Sequence, residues 1–165
     1  MRKIIVSDAS PLIALANLDQ LELLFVSFSE VHIPQAVVHE ATHDRYRNDS
    51  NVIYDFITEN QRVIIHNDQE NQAYSEYRNI LDEGESQALA LADHLACGIL
   101  IDERLGRKIA KQHQIPVVGV MGVLLQAKSK GKIDSIRSLI EQLLENDYRL
   151  SERVIKLVLK RAKEL

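Results

Sequence analysis

Short apolar runs of strand length recur along this 165-residue chain, and between successive runs lie segments whose apolar residues repeat at helical spacing. Such alternation favours a parallel sheet, because parallel neighbours need a long crossover, usually a helix, to bring the chain back to the same end. Strands are expected near residues 3–7, 30–33, 62–66, 98–101 and 115–118. Helices are expected near 11–26, 34–46, 50–60, 69–80, 83–96, 103–113, 119–129, 133–146 and 151–164. The first helix should break around Asn17 to Asp19, since Asn and Asp favour caps and turns. Ser10 before Pro11 reads as an N-cap with proline at the first helical position, and Pro34 reads as opening the next helix in the same way. No linker or repeat divides the chain, so residues 1–165 are expected to form one domain, with 133–165 as a helical extension packed on it. The apolar stripe Leu150, Val154, Leu157, Val158, Ala162 and Leu165 is expected to pack on that core.

Composition excludes several classes. With 45% hydrophobic and 27% charged residues, the chain has the make-up of an ordinary soluble globule. Its apolar stretches are far shorter than the ~20 residues of a membrane span. Met1 leads straight into the first strand without a signal-peptide pattern, so a cytoplasmic protein with no membrane partner is expected. Cys97 can form neither an internal disulfide nor a thiolate zinc site alone, and reads as a core residue. The net charge of −4 is uneven: residues 1–127 carry −8 and residues 128–165 carry +4. A basic tail can engage RNA or DNA locally, or an acidic protein, although a pI near 5.9 argues against a strong general nucleic-acid binder.

Two strands run into aspartates. Lys3-Ile4-Ile5-Val6-Ser7 ends at Asp8, and Gly98-Ile99-Leu100-Ile101 ends at Asp102, with Glu103 beside it. If these strands are parallel neighbours, both carboxylates emerge at one sheet edge, where open α/β sheets bind their ligands. Glu85 starts a helix and shares a face with Ala88, Leu89 and Ala92; its spacing from Asp82 is also that of a capping box, and both readings stand. Glu40 lies on the helix after Pro34, where a solvated position is the plainer reading. Four acids facing one crevice would repel one another unless a cation neutralised them. All-oxygen ligation suits Mg²⁺ or Mn²⁺, ions that commonly serve phosphate chemistry. Arg104, Arg107, Lys108 and Lys111 follow Asp102 on one helix and are candidate phosphate contacts.

These residues resemble a PIN domain, a nuclease fold found in many prokaryotic toxins. The similar segments are Ser7-Asp8-Ala9-Ser10-Pro11-Leu12-Ile13, Ile33-Pro34 through Val38-His39-Glu40, Gly84-Glu85-Ser86-Gln87-Ala88, and Leu100-Ile101-Asp102-Glu103-Arg104. Val118 to Leu124 and Ala127 to Ile133 continue the likeness, which covers about the first 135 residues. The resemblance implies a three-layer α/β/α sandwich around a parallel sheet of four to five strands. It implies that Asp8, Glu40, Glu85 and Asp102 form the catalytic, metal-binding set for Mg²⁺ or Mn²⁺. Ser10 would orient the first acid, and Glu103 is a neighbouring oxygen donor. Glu85 stands where many relatives have aspartate. The implied activity is endoribonuclease cleavage by a toxin held in check by an antitoxin protein, from a homodimer. A PIN-like module that binds RNA or protein without cutting is the alternative.

A second motif claims Glu40. His39-Glu40-Ala41-Thr42-His43 matches H-E-x-x-H, in which two histidines hold zinc and the glutamate acts as general base. The longer form of that motif fails at Tyr46 and Asp49, and a peptidase leaves the strand-helix alternation unexplained. The plainer reading makes His39 and His43 surface helix residues.

Overall fold

The computed structural model describes residues 3–165; Met1 and Arg2 lie outside the described residues. Five strands form one all-parallel sheet: β1 (Ile4–Ser7), β2 (Glu30–Pro34), β3 (Val63–His66), β4 (Gly98–Leu100) and β5 (Val117–Val118), in the order β3-β2-β1-β4-β5. β1 is central because its run Ile5-Val6 can be buried on both faces, where both residues are at most 1% exposed. It pairs Ile5 with Val31 on one side and Val6 with Ile99 on the other.

Helices cover both faces, giving a three-layer α/β/α sandwich. α1 (Ala9–Asn17) packs with α3 (Gln35–Thr42), α4 (Asn48–Glu59) and α8 (Val120–Ser129). α6 (Glu83–Leu95) lies against β1, β2 and β4, beside α5 (Gln72–Arg78). Its fully buried Ala88, Ala90 and Ala92 remove the bulk that would hold it off the sheet. Between α1 and β2 run a 3₁₀ turn, Leu21–Leu23, and the single turn α2 (Leu24–Ser27). α7 (Arg104–Gln112) links β4 to β5, and α9 (Ile136–Glu145) and α10 (Glu152–Arg161) close the chain.

The helix break near Asn17 to Asp19 is present, with Asp19 in the left-handed region at φ 54°. Five expectations are corrected. Ser10 is not the cap of α1: Asp8 takes that position with extended backbone, Ala9 is the first helical residue, and Asp8's side chain makes no capping bond. Pro11 is tolerated at the third helical position because that N–H has no intrahelical partner anyway. Pro34 ends β2 and stands just before α3, whose first residue is Gln35. The segment 34–46 does not continue as one helix, since α3 ends at Thr42. The α10 stripe splits: Val158 and Ala162 are buried, while Val154 is 38%, Leu157 49% and Leu165 74% exposed. Cys97 is half-buried rather than enclosed, and burial pushes its thiol up.

The C-terminal helices are tied down by one carboxylate. Glu164 accepts from the N–H groups of Ile136 (2.7 Å) and Arg137 (3.1 Å) at the start of α9, from Ser135 Oγ (3.1 Å) and from Lys128 Nζ (3.0 Å). Burial opposes its charge, but the two amides, Lys128 and Ser135 outweigh it and lower the carboxyl to about 2. Its stabilising contribution is therefore complete above the ordinary carboxylate range and is lost as pH falls through about 2. Glu164→Gln is expected to lose about 1–2 kcal/mol at pH 7, as for a lost cap. Denaturant titrations should show that gap closing in acid; a gap that stays constant to pH 2 would remove this role.

Candidate metal centre at the sheet switch point

The strand order reverses about β1, whose neighbours are β2 on one side and β4 on the other. The carboxyl ends of β1 and β4 therefore flank the crevice where such sheets place ligands. Asp8 follows β1 directly, and its N–H donates to Leu100 O of β4 at 3.0 Å, which fixes it at this edge. The residue is 3% exposed, and its Oδ1 is buried without a hydrogen-bond partner.

Glu40 and Glu85 reach the same place from different elements. α3 starts immediately after β2, and Glu40 lies in its second turn. Glu85 lies in the first turn of α6, where the Asp82 side chain accepts from the Glu85 N–H at 2.9 Å. Gly84 brings the two helices together: a Cβ there would lie 2.5 Å from Glu40 Oε2. The capping reading and the ligand reading of Glu85 overlap: the Asp82 side chain accepts from the Glu85 N–H, the Asp82 amide faces the Glu85 carboxylate, and that carboxylate still shares the field of Glu40 and Glu103.

Electrostatics shows that these acids share one field. Burial pushes the Asp8 carboxyl up to about 7; the Ala9 amide opposes this, and Glu40, Glu85 and Asp82 add to it. Burial likewise pushes Glu85 up to about 7, reinforced by the charges of Asp82, Glu103 and Glu40 and opposed by the Asp82 amide. Glu40 is exposed on α3, as the plainer reading expected, yet partial burial and Asp82 raise its carboxyl, with His43 acting against them. Asp82 thus belongs to the acid cluster, although its sequence position signals only a cap.

Asp102 stands at the same edge with different company. Its Oδ1 accepts from Val120 N at the start of α8 (3.1 Å), while Oδ2 is sealed from solvent on the carboxylate that the Tyr148 phenol approaches. Burial raises its carboxyl, and Tyr148, the Val120 amide and Arg107 pull the other way. The approach is tight: a Cβ on Gly119 would lie 2.8 Å from Asp102 Oδ1 and 2.9 Å from Arg107 Nη1. Tyr148 comes from the link between α9 and α10, and no local pattern marks it as a neighbour of Asp102. Glu103 serves as a cap, with Oε2 accepting from Gly106 N at 2.7 Å. The Ser10 hydroxyl does not bond Asp8; Ser10 is exposed and lines a small cleft with Tyr148 and Asn146.

Arg104, Arg107, Lys108 and Lys111 border one open cleft of about 710 Å³ that ends at Asp102. The zinc motif does not assemble. The exposed rings of His39 and His43 stack at 5.6 Å, and His43 Nδ1 bonds the Glu40 carbonyl at 3.1 Å. Glu40 itself faces Gly84.

Do the acids suit a hard divalent ion? Among the described residues, no three His, Cys, Asp or Glu side chains are gathered closely enough to hold a metal ion by themselves. Mg²⁺ rarely uses such a cage; it keeps several waters and takes one or two carboxylates together with substrate phosphate. An all-carboxylate donor set, mutual repulsion and an unpartnered buried oxygen on Asp8 fit that mode of binding.

A doubly wound parallel sheet with carboxylates converging on its switch point defines the class of the protein. A family model described as a PIN domain matches residues 4–164, and the chain belongs to that family. The match includes α9 and α10, beyond the segment over which the resemblance was read. PIN domains are generally nucleases that use divalent metals. No curated protein matches the chain. No helix among the described residues is long and apolar enough to cross a membrane.

Three outcomes follow for the metal-free protein. Asp8 and Glu85 hold their protons more tightly folded than unfolded, so folding takes up protons between the ordinary carboxylate range and about 7. Melting temperature in EDTA should therefore rise as pH falls from 8 towards 5. Asp8→Asn should raise stability at pH 8 by about 1 kcal/mol, or roughly 2–4 °C in Tm. A Tm that falls over that pH range, or an unchanged variant, would contradict the crowding of these acids. Gly84→Ala should displace the Glu40 carboxylate while shifting Tm little, because the obstructing atom ends a flexible side chain.

Proposed function

We propose that this chain is a Mg²⁺- or Mn²⁺-dependent endoribonuclease and the toxin component of a cytoplasmic toxin-antitoxin pair, acting as a homodimer. The observation that carries the reading is Asp8: a buried carboxylate with an unpartnered oxygen, held among Glu40, Glu85 and Asp82. Such crowding of like charge serves no packing purpose, and a divalent cation is the group that would relieve it.

Asp8, Glu40 and Glu85 would hold the ion directly, with Asp102 contributing from the neighbouring strand. When bound, the ion supplies a nucleophilic water and neutralises charge building on the phosphoryl oxygens. The chain's own groups do the rest. The Val120 amide orients Asp102 through Oδ1, and the Tyr148 phenol lies against the same carboxylate and favours its charged form. Arg107, beside Asp102, is placed to bind a phosphate oxygen, and Arg104 and Lys108 extend a cationic surface along α7. Asp82 keeps α6 in register by capping it, so that Glu85 stays aimed inward.

Purified protein is expected to cut RNA internally in Mg²⁺ or Mn²⁺ and to stop in EDTA. Asp8→Asn should lower cleavage by more than about 100-fold, beyond the 10–100-fold typical of changes to residues that support metal ligands. Gel analysis of a mixed RNA substrate decides it: cleavage that survives EDTA or Asp8→Asn refutes the proposal, and RNA binding without any product favours the non-cutting module.

A further inference from the structure

We infer that the cleft between α8 and α10 holds unpaired nucleotides of the RNA strand beside the phosphate being cut, which makes the C-terminal helix a clamp on the substrate. The inference rests on the nuclease reading. The cleft, about 690 Å³, adjoins the α7 surface, since Asp102 and Arg107 line both. Its walls include Met121 and Leu125 of α8 and Val154 and Leu157 of α10, with Arg149 and Arg161 beside them. Val154, Leu157 and Arg161 recur at helical spacing, so one face of α10 offers apolar surface and a guanidinium together. That face is not spent on the core, since Val154 is 38% and Leu157 49% exposed.

A nucleotide is the ligand that needs both kinds of surface. Its base presents a flat apolar face and its phosphate a negative charge, and guanidinium planes serve for stacking as well as for ion pairing. The bases must be unpaired, because in a duplex their faces are stacked inside and these walls would meet only backbone. Continuity identifies the occupant. Cationic side chains run from Lys108 and Arg104 through Arg107 to Arg149 and Arg161, past Asp102. A polyanion lying across Asp102 uses the whole run; an acidic amphipathic peptide in the α10 cleft would leave its α7 half without purpose. Charge points the same way, since residues 128–165 carry +4 on a chain of net −4.

The test is fluorescence anisotropy with a labelled oligouridine of about 12 nucleotides, within the size that single-strand grooves occupy. The parent is full-length Asp8→Asn in EDTA, so that nothing is cut. Replacing both exposed residues, Arg149→Ala with Arg161→Ala, should weaken binding about tenfold and flatten the salt dependence by about 1.4 in slope. Leu157→Asn, which removes the apolar surface without adding charge, should weaken oligouridine several-fold while binding to duplex RNA of equal length stays within twofold of the parent. Melting curves matching the parent's show that the variants are folded. Unchanged affinity and salt slope in the folded variants would overturn the clamp, and would leave the cleft to a protein partner. The nuclease reading is judged apart, by cleavage in Mn²⁺: a wild type that cuts, with variants that bind as the parent does, removes the clamp alone.

Discussion

A buried carboxylate that the protein does not itself satisfy is the constraint on which the rest of this structure turns. Asp8 lies where it does because β1 is the central strand and the chain must leave it at the edge shared with β4. Its backbone is satisfied through Leu100, yet Oδ1 is sealed from solvent without a donor. An unpaired buried acceptor costs about 1–3 kcal/mol, and like charges nearby increase that penalty. The surrounding elements maintain the strain instead of relieving it. Alanines let α6 approach the sheet, Gly84 lets Glu40 approach α6, and the Asp82 cap points Glu85 inward. Each feature is a local choice of small or capping residue, and together they hold the acids close.

The second aspartate depends on the end of the chain. Asp102 is fixed by the amide that begins α8, faced by Arg107, and closed over by Tyr148 from the α9–α10 link. Burial and the Asp102 charge both push the Tyr148 phenol up, so it stays a neutral hydroxyl against that carboxylate. Tyr148 keeps its place because α9 and α10 are joined through Glu164, which binds the first amides of α9 from just beyond α10. The C-terminal helices are thus part of the site's framework.

The alternation of strands and helices made the sheet, its parallel sense and nearly every element legible in the sequence, since each follows from local periodicity. Asp8, Glu40 and Glu85 were also legible as companions, because strand ends and helix starts fix where side chains emerge. What escaped was set by tertiary geometry. Ser10 read as a cap from its place before Pro11, but the extended backbone of Asp8 passes directly into the helix. Tyr148 carries no local signal, since its approach to Asp102 arises only when α9 and α10 fold back. Asp82 was visible solely as a cap, and its electrostatic share appears only beside Glu40. Val154 and Leu157 looked like core because helical spacing cannot distinguish a face packed on its own domain from one that lines an open cleft.

On the proposed reading, the charge layout resolves a conflict built into any nuclease of this kind. The acids that would hold the ion also repel the phosphate that must approach it, and the chain as a whole is negative. Cationic side chains on α7 and α10 line the two clefts that meet at Asp102, so attraction is confined to the surface that leads to the site. Fields of opposite sign a few residues apart are screened within about 10 Å at 0.1 M salt. The phosphodiester backbone then feels the arginines along its length and the acids only at the crevice, where an ion would turn repulsion into ligation. A uniformly basic surface would bind RNA more tightly, but it would hold the strand anywhere; a negative body with one cationic path makes the position over Asp102 the favoured one.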